Sequence, residues 1–332
     1  MDSLSQLALG AAVGVAVMGR RTALWKSAAW GAVAGTLPDL DVFIDHGDAI
    51  ANMVLHRAET HSLFWLTLFS LPFAALVARL HGESAAWQRW WLAMWLALVT
   101  HPLLDAMTVY GTQLALPWSN HPFGVGSVFI IDPLYTLPLL VGTAITLAST
   151  RLRANTLGLV LSTAYLAWGF GAQQHVEQVA RDALTRQGIA AERVLVTPSA
   201  FNTMAWRIVV MQRDQYFEGV YSLLDEGRTV RFDRFDRGAP LEAEVSAIQG
   251  AQRIREFSRG FYALRQQGPR VLISDLRMGQ EPAYTFTFAI AERASPAKAL
   301  PVPEQVGTRP DLGKFIPWLW RRIGGDPAPP PR

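Results

Sequence analysis

Long apolar runs in the first half of the chain place the strongest limit on its fold. Charged residues are sparse from Met1 to Gly171, whereas Arg, Asp, Glu and Gln are dense from Gln173 onward. A helix needs roughly 17–25 predominantly apolar residues to cross a bilayer. These runs lack the polar face that a helix of a soluble bundle carries, so we expect membrane insertion. Four runs reach or approach the required length: Leu63–Leu80, Trp87–Leu104, Val128–Leu147 and Thr156–Phe170.

Two shorter apolar runs precede these four and could instead be core helices. Leu7–Met18 and Leu24–Leu37 contain small residues that permit close contact between helices. The change in composition near residue 172 agrees with the roughly two domains that a chain of 332 residues suggests. We therefore predict an all-α, multi-pass membrane helical bundle over residues 1–172, followed by a soluble α+β domain over residues 173–300.

The second half shows the alternation typical of strands, together with helical stretches. Ala205–Met211, Arg270–Asp275 and Tyr284–Glu292 are predicted strands, the last because Thr and Phe alternate in TFTFAIA. Glu242–Gln267 is predicted to be helical. Residues 301–332 form a predicted Pro-rich tail whose short aromatic and basic segment, FIPWLWRRI, would lie at a membrane interface or dock on its own domain.

Positive charges between the runs predict the orientation of the helices. If every run crosses the bilayer, the connections that carry these charges all lie on one side, which the positive-inside rule makes cytoplasmic. The polar connections and everything after residue 172 then lie on the other side. We predict a bacterial inner (cytoplasmic) membrane protein whose site and C-terminal domain are periplasmic. The charges are Arg20, Arg21, Lys26, Arg79, Arg89, Arg151 and Arg153.

Overall charge and cysteine content exclude two classes of site. The formal net charge is only +3 and the arginines are scattered, which argues against nucleic acid as a partner. The chain contains no cysteine, so neither disulfides nor thiolate metal ligands are available. A metal site in this chain would have to use imidazoles and oxygen ligands.

A polar segment between two apolar runs, Leu37–Ser62, contains Asp39, Asp41, His56 and His61. Ionisable groups at the ends of apolar helices indicate a metal, a proton path or a substrate. In an extended segment Asp39 and Asp41 would share a side, whereas on a helix they would not. The other ionisable residues of the segment lie around a glycine and are interpreted as solvated turn residues: Asp45, His46 and Asp48.

A second polar pair, His101 and Asp105, follows the fourth apolar run. Four residues apart, the two side chains project from one helix face, although this spacing alone is also typical of a chance pair. Pro102 would start a helix here or kink a longer one. If the second, third and fourth runs all cross, this pair reaches the same membrane face as Leu37–Ser62. Imidazole with carboxylate favours Zn, Mn or Fe, and one or two such ions would activate water for hydrolysis.

Three further residues have two interpretations each. Arg57 would bind an anionic group such as phosphate, or would pair with Glu59 or with a site carboxylate. Asp132 would contribute to the site or pair with Arg57, or would cap a helix. His121, in SNHPFG, is first interpreted as a turn residue.

At these residues the sequence resembles a known family. LGAAVG, LPDLD, HRAETHS, HPLLD, YGTQLALPWS and FIIDPLYT are similar to segments of the YdjM-type bacterial inner-membrane proteins, which are described as membrane-bound metal-dependent hydrolases. TPSAFNTMAWRIVV and DLRMGQEPAYTFTF resemble segments of its longer members, so the resemblance covers nearly the whole chain to about residue 292. The family is distantly similar to zinc-dependent phospholipase C and P1 nuclease, which implies a phosphoester or related ester substrate by analogy.

The resemblance also implies site residues. Many relatives carry a Thr-His pair near the start, where this chain has Ser5-Gln6, so the number of metals depends on whether Gln6 takes a ligand position. The polar motif positions of the family fall on Asp39, Asp41, His56, Arg57, His61, His101 and Asp105.

We therefore predict a membrane-embedded hydrolase with a Zn-type site that acts on an amphiphilic phosphoester or other ester at the exoplasmic face. The metal ligands would be Asp39, His56, His61, His101 and Asp105, with Asp41 a ligand or a general base and Arg57 an anion contact. Two alternatives stay open. One is a transporter that handles protons or ions with the same residues. The other is a membrane-anchored partner-binding protein in which a metal is only structural.

Overall fold

A computed structural model describes residues 1–294 and 297–331 of the chain, and it divides into two compact units. The first comprises Met1–Ile44, His56–Phe170 and Ala200–Asn202; the second comprises Asp45–Leu55, Gly171–Ser199 and Thr203–Arg332. The first unit is helical and the second combines helices with sheets. The prediction of a helical region followed by an α+β domain is therefore confirmed.

Two 3-10 segments in the first half, Leu37–Phe43 and Glu59–His61, carry site residues, and a long connection over residues 107–132 joins α5 to α6. α3 belongs to the second unit, and α7 contributes residues to both. The helices are α1 (Ser3–Met18), α2 (Leu24–Thr36), α3 (Ala49–Leu55), α4 (Leu63–Leu80), α5 (Trp87–Ala106), α6 (Pro133–Ser149) and α7 (Leu152–Arg186).

Small residues bring α1 and α2 into backbone contact. A Cβ atom added to Gly31 would lie 2.2 Å from the carbonyl oxygen of Gly10, and one added to Gly35 would lie 2.5 Å from that of Gln6. α1 also packs against α5 and α6. The close approach of α1 and α2 therefore follows from the glycine spacing that the sequence showed.

Among the described residues, two helical segments are long and apolar enough to cross a membrane, Ser3–Arg21 and Leu63–Leu80. The first is mostly buried within the protein, as a core helix also would be, whereas the second is mostly exposed. The apolar helix Pro133–Ser149 is shorter, and it starts five residues after the predicted run because Pro133 follows the capping residue Asp132. α5 and the first half of α7 were both predicted to span the membrane, but they do not meet these requirements of length and apolarity.

The second unit contains two four-stranded antiparallel sheets and a two-stranded one. The strand orders are β1-β2-β3-β4, β10-β9-β6-β5 and β7-β8. The second half of α7 packs on the first sheet through Val176, Val179 and Ala180. The strands are β1 (Arg193–Pro198), β2 (Ala205–Met211), β3 (Gln215–Ser222), β4 (Phe232–Asp236), β5 (Tyr262–Gln267), β6 (Arg270–Asp275), β7 (Gly279–Gln280), β8 (Ala283–Tyr284), β9 (Thr287–Glu292) and β10 (Lys298–Gln305).

The helical prediction over Glu242–Gln267 is wrong in its last part. The segment contains the end of α8 (Ala239–Val245), then α9 (Gln249–Phe257), and finally β5. β5 pairs antiparallel with β6 along its whole length, from Tyr262 with Asp275 to Gln267 with Arg270. This pairing with a strand further along the chain overrides the local helical propensity.

The C-terminal segment also forms regular structure. α10 (Leu312–Ile323) buries Phe315, Trp318 and Leu319, and Arg322 pairs with Asp225 of the same unit. Of the two alternatives for FIPWLWRRI, the structure shows docking on its own domain. Arg332, the last residue of the predicted Pro-rich tail, lies outside the described residues.

The contact between α1 and α2 predicts a large effect of a single methyl group. Gly31→Ala would push the two backbones apart, and such overpacking costs about 1–3 kcal/mol. We expect a lower thermal unfolding midpoint in detergent, followed by circular dichroism. Gly171→Ala is the control, since a Cβ there meets nothing within 4 Å. An unfolding midpoint of Gly31→Ala equal to that of the control would contradict this packing.

Candidate metal centre

The 3-10 segment after α2 places Asp39 and Asp41 on different sides. α2 ends at Thr36, and Pro38 lies at the start of the 3-10 helix Leu37–Phe43. Two residues apart on a helix with three residues per turn, the carboxylates cannot share a side. Asp39 approaches His61 and His101, whereas Asp41 accepts hydrogen bonds from His56 and Thr60.

The second pair lies on α5, which continues through Pro102 to Ala106. His101 and Asp105 are fully buried, with His101 Nε2 3.4 Å from Asp105 Oδ2. His101 Nδ1 lies 2.7 Å from the carbonyl oxygen of Gly35, so Nδ1 must carry the proton and donate it. The neutral ring, the form that binds a metal, therefore presents an unprotonated Nε2 atom to Asp39 and Asp105.

His61 is oriented by a chain of hydrogen bonds that ends on Asp41. The Thr60 hydroxyl donates to Asp41 Oδ2 at 2.7 Å, so its oxygen accepts from His61 Nδ1 at 2.9 Å. His61 Nε2 is thereby left unprotonated, and it lies 3.1 Å from Nε2 of His101. Such outer partners fix the tautomers of metal-binding histidines in other proteins.

The four side chains present one donor atom each to a common point. Among the described residues, one group could hold a metal ion, Asp39, His61, His101 and Asp105, whose ligand atoms lie within 4.8 Å of one another. Two unprotonated nitrogens and two carboxylates repel each other unless a cation or protons lie between them. Asp105 Oδ2 is buried and forms no hydrogen bond, although it lies 3.2 Å from Arg57 Nε in an ion pair, so it can still serve as a metal ligand. The residues present therefore fit a divalent metal.

The other oxygen of Asp105 is contacted by Gln6 of α1 and by Met1, which precedes α1. Gln6 Nε2 donates to Asp105 Oδ1 at 3.0 Å and to the carbonyl oxygen of His101 at 3.2 Å, and the Met1 amino group contacts the same carboxylate. Gln6 Oε1 is buried without a hydrogen-bond partner. Gln6 therefore orients Asp105 through its amide nitrogen, at the position where the family resemblance had raised the question of a ligand.

Asp41 and His56 form a pair beside this group. His56 Nδ1 lies 2.8 Å from Asp41 Oδ1, and the His56 side chain is 25% exposed. The ring of His56 meets those of His61 and Tyr110 edge-on, with centroid distances of 6.0 and 5.8 Å. The structure thus separates His56 from the four residues that share one point, although the sequence grouped them together.

Both carboxyls of the 3-10 segment are held in the charged form. Burial raises the pKa of Asp39, but hydrogen bonds with His101 and His61, which need protons that a bound metal would displace, outweigh it and hold the pKa far below its usual value. Burial likewise raises the pKa of Asp41, and the hydrogen bond from His56 outweighs it, so the pKa is lowered. The carboxylate is the form that binds a metal or orients an imidazole.

Arg57 faces the site carboxylate. Its Nε lies 3.2 Å from Asp105 Oδ2, and its guanidinium lies over the ring of Tyr110, 4.9 Å from the centroid. The backbone of Arg57 has φ of 68°, a left-handed conformation held because its N–H donates to Asp41 and its carbonyl accepts from Gln113. Of the alternatives for Arg57, the structure shows pairing with a site carboxylate.

The remaining candidates lie outside the group. Asp132 caps α6, accepting from the Leu134 N–H at 3.1 Å and from the Tyr165 hydroxyl at 2.8 Å. His121 is exposed and its backbone N–H donates to the Ser119 hydroxyl at 3.2 Å, as in a turn.

The sequence did not indicate Thr60, which joins the two parts of the site. Only its position between Asp41 and His61 could have indicated that role.

A known protein family matches the region of the chain that contains the site. A model of the YdjM inner membrane protein family matches residues 1–176. The uncharacterized protein YfhP of Bacillus subtilis is 24% identical over 252 residues, 74% of this chain and 75% of YfhP. The inner membrane protein YbcI of Escherichia coli is 33% identical over 96 residues, 28% of this chain and 54% of YbcI.

No solved structure matches the chain. The chain spans about half the length of YbcI and three quarters of that of YfhP. The family match covers more than half of the chain and contains every residue of the metal-binding group. The chain therefore belongs to the YdjM inner membrane protein family.

Proposed function

We propose that this chain is a membrane-embedded, metal-dependent hydrolase that acts on a phosphoester or other ester of a lipid-like substrate. The observation that carries the proposal is the convergence of Asp39, His61, His101 and Asp105 on one point. Two imidazoles with two carboxylates suit Zn²⁺ best, and Mn²⁺ or Fe²⁺ less well. A bound ion would supply Lewis acidity toward an ester oxygen and would lower the pKa of water.

The residues around the group suit hydrolysis because one side is open. Asp39 is the exposed member, with 18% of its side chain accessible, while the other three are fully buried. A substrate would therefore reach the group from the side of Asp39. Arg57 forms an ion pair with Asp105 Oδ2, so that the buried carboxylate is not left unpaired.

His56 is suited to proton transfer. Because Nδ1 donates to Asp41, Nε2 is free to accept a proton from an attacking water molecule or to return one to a leaving group. Asp41 keeps the ring in this tautomer and stabilises the imidazolium that forms. In this proposal Asp41 and His56 are the general-base pair, and the metal ligands are the other four residues.

The multi-pass topology and the periplasmic location of the site are also proposals. The exposed helix α4 supports insertion, and its Arg79 lies at the end opposite to His61, as the positive-inside rule would require for a periplasmic site. The C-terminal unit would then lie on the same side as the site.

A structural metal is the second candidate, and one observation favours it. Four protein donors are enough to complete the tetrahedral coordination of Zn²⁺, as in closed structural sites. In that case the protein would bind a partner through its C-terminal unit, and the pair of Asp41 with His56 would be dispensable for any chemistry.

Metal analysis tests the ligand set. We expect His61→Ala combined with His101→Ala to abolish bound metal after purification without chelators, measured by inductively coupled plasma mass spectrometry, because two of four donors are lost. His175→Ala is the matched control, since that histidine is exposed and distant in sequence. Unchanged metal content in the double variant would contradict the site.

Turnover separates the hydrolase from the structural site. We expect His56→Gln to retain metal and to lower hydrolysis of bis(p-nitrophenyl) phosphate or of phospholipid vesicles on the order of 100-fold, because the proton acceptor is lost. His121→Gln, an exposed histidine, is the control. Metal-replete wild-type protein that hydrolyses neither substrate would favour the structural metal.

A further inference from the structure

Four exposed apolar side chains lie on the 3-10 segment that carries Asp39 and on the residue that follows it. Leu40, Val42, Phe43 and Ile44, here called the apolar rim, are 52%, 67%, 83% and 51% exposed. Asp39 and Asp41 of the same segment turn inward to the histidines. An exposed apolar cluster of this kind marks a surface that contacts a membrane or a partner.

A hydrogen bond links the segment that carries the apolar rim to the start of α4. The Thr60 hydroxyl donates to Asp41 Oδ2 at 2.7 Å, and the 3-10 segment Glu59–His61 leads directly into α4 at Leu63. The apolar rim is therefore tied to the end of the helix whose length, hydropathy and exposure best suit a membrane span.

Exposed aromatic residues lie at that end of α4, as is typical of helices at a membrane–water boundary. Trp65 is exposed in the first turn, and the ring of Trp118, itself 74% exposed, meets Phe64 at a centroid distance of 4.9 Å. Tryptophan is enriched at this depth because its ring is apolar and its N–H is polar. If α4 crosses the bilayer, the apolar rim lies at the depth where lipid headgroups meet acyl chains.

The apolar rim also borders the open side of the metal-binding group. Asp39 is the exposed ligand, and Leu40 follows it in the chain. The exposed ligand therefore has an exposed apolar residue as its direct neighbour. Such an entrance favours a substrate whose headgroup is polar and whose remainder is apolar.

We propose that the apolar rim inserts into the bilayer interface and that the site takes its substrate from the leaflet. The substrate class is a membrane amphiphile whose ester lies near the headgroup and whose acyl chains stay in the lipid. The insertion stands on the exposure and depth of the apolar rim, whereas the substrate class rests on the proposed hydrolase function.

Because the chain contains no cysteine, a single introduced cysteine tests the insertion cleanly. The full-length Phe43→Cys protein is labelled with a nitrobenzoxadiazole fluorophore and reconstituted in phosphatidylethanolamine–phosphatidylglycerol vesicles. Ser246→Cys, at an exposed position of the C-terminal unit, is the control. We expect doxyl-labelled lipids to quench the fluorophore at position 43 and aqueous iodide to quench it at position 246.

Two outcomes would overturn the insertion. Iodide quenching without lipid quenching at position 43 would place the apolar rim in water. Protection from both quenchers would mean that protein covers it, either a second copy of this chain or another segment. Neither outcome depends on hydrolase activity.

A double variant tests the substrate class. Val42→Ser with Phe43→Ser should lower the ratio of phospholipid hydrolysis in vesicles to hydrolysis of a short-chain, water-soluble phosphoester by at least about tenfold, because apolar contact with the bilayer is lost. An unchanged ratio would overturn the leaflet as the source. If the wild type hydrolyses neither substrate, the hydrolase proposal and the substrate class fail together, while the quenching result still decides the insertion.

Discussion

The repulsion between two imidazole nitrogens is the constraint on which the structure of the site depends. Nε2 of His61 and Nε2 of His101 lie 3.1 Å apart, and each ring has its other nitrogen committed to an oxygen acceptor. Two carboxylates approach the same point. Such a cluster is stable only around positive charge, and a divalent cation neutralises both carboxylates and satisfies both nitrogens at once.

The helix packing of the first unit brings orienting groups to the metal ligands. The glycines of α1 and α2 let the backbones touch, which brings Gln6 to Asp105 and the carbonyl of Gly35 to His101. Those two hydrogen bonds orient one ligand each. The 3-10 turn after α2 then directs Asp39 toward the histidines and Asp41 toward His56. The contact between α1 and α2 therefore orients the two ligands on α5, and the 3-10 turn separates the roles of Asp39 and Asp41.

Much of the site was predictable because its residues are polar where their surroundings are apolar. Asp39, His61, His101 and Asp105 stood out by that contrast and by the family resemblance, although one helix predicted to bring them together, α5, is less apolar than expected. The different partners of Asp39 and Asp41 could not be predicted, because they depend on whether the segment is extended or helical. The strand β5 was missed because its partner, β6, supplies the pairing that defines it.

X-ray absorption at the zinc edge tests most directly whether His61 and His101 are metal ligands and His56 is not. We expect protein reconstituted with one equivalent of zinc to show a shell of nitrogen and oxygen only, at about 2.0 Å, with outer scattering from two imidazoles. His61→Ala should reduce that scattering to one imidazole, while His56→Gln should leave it at two. Loss of imidazole scattering in His56→Gln, or none in His61→Ala, would contradict the assignment of ligands and of the proton-transfer pair.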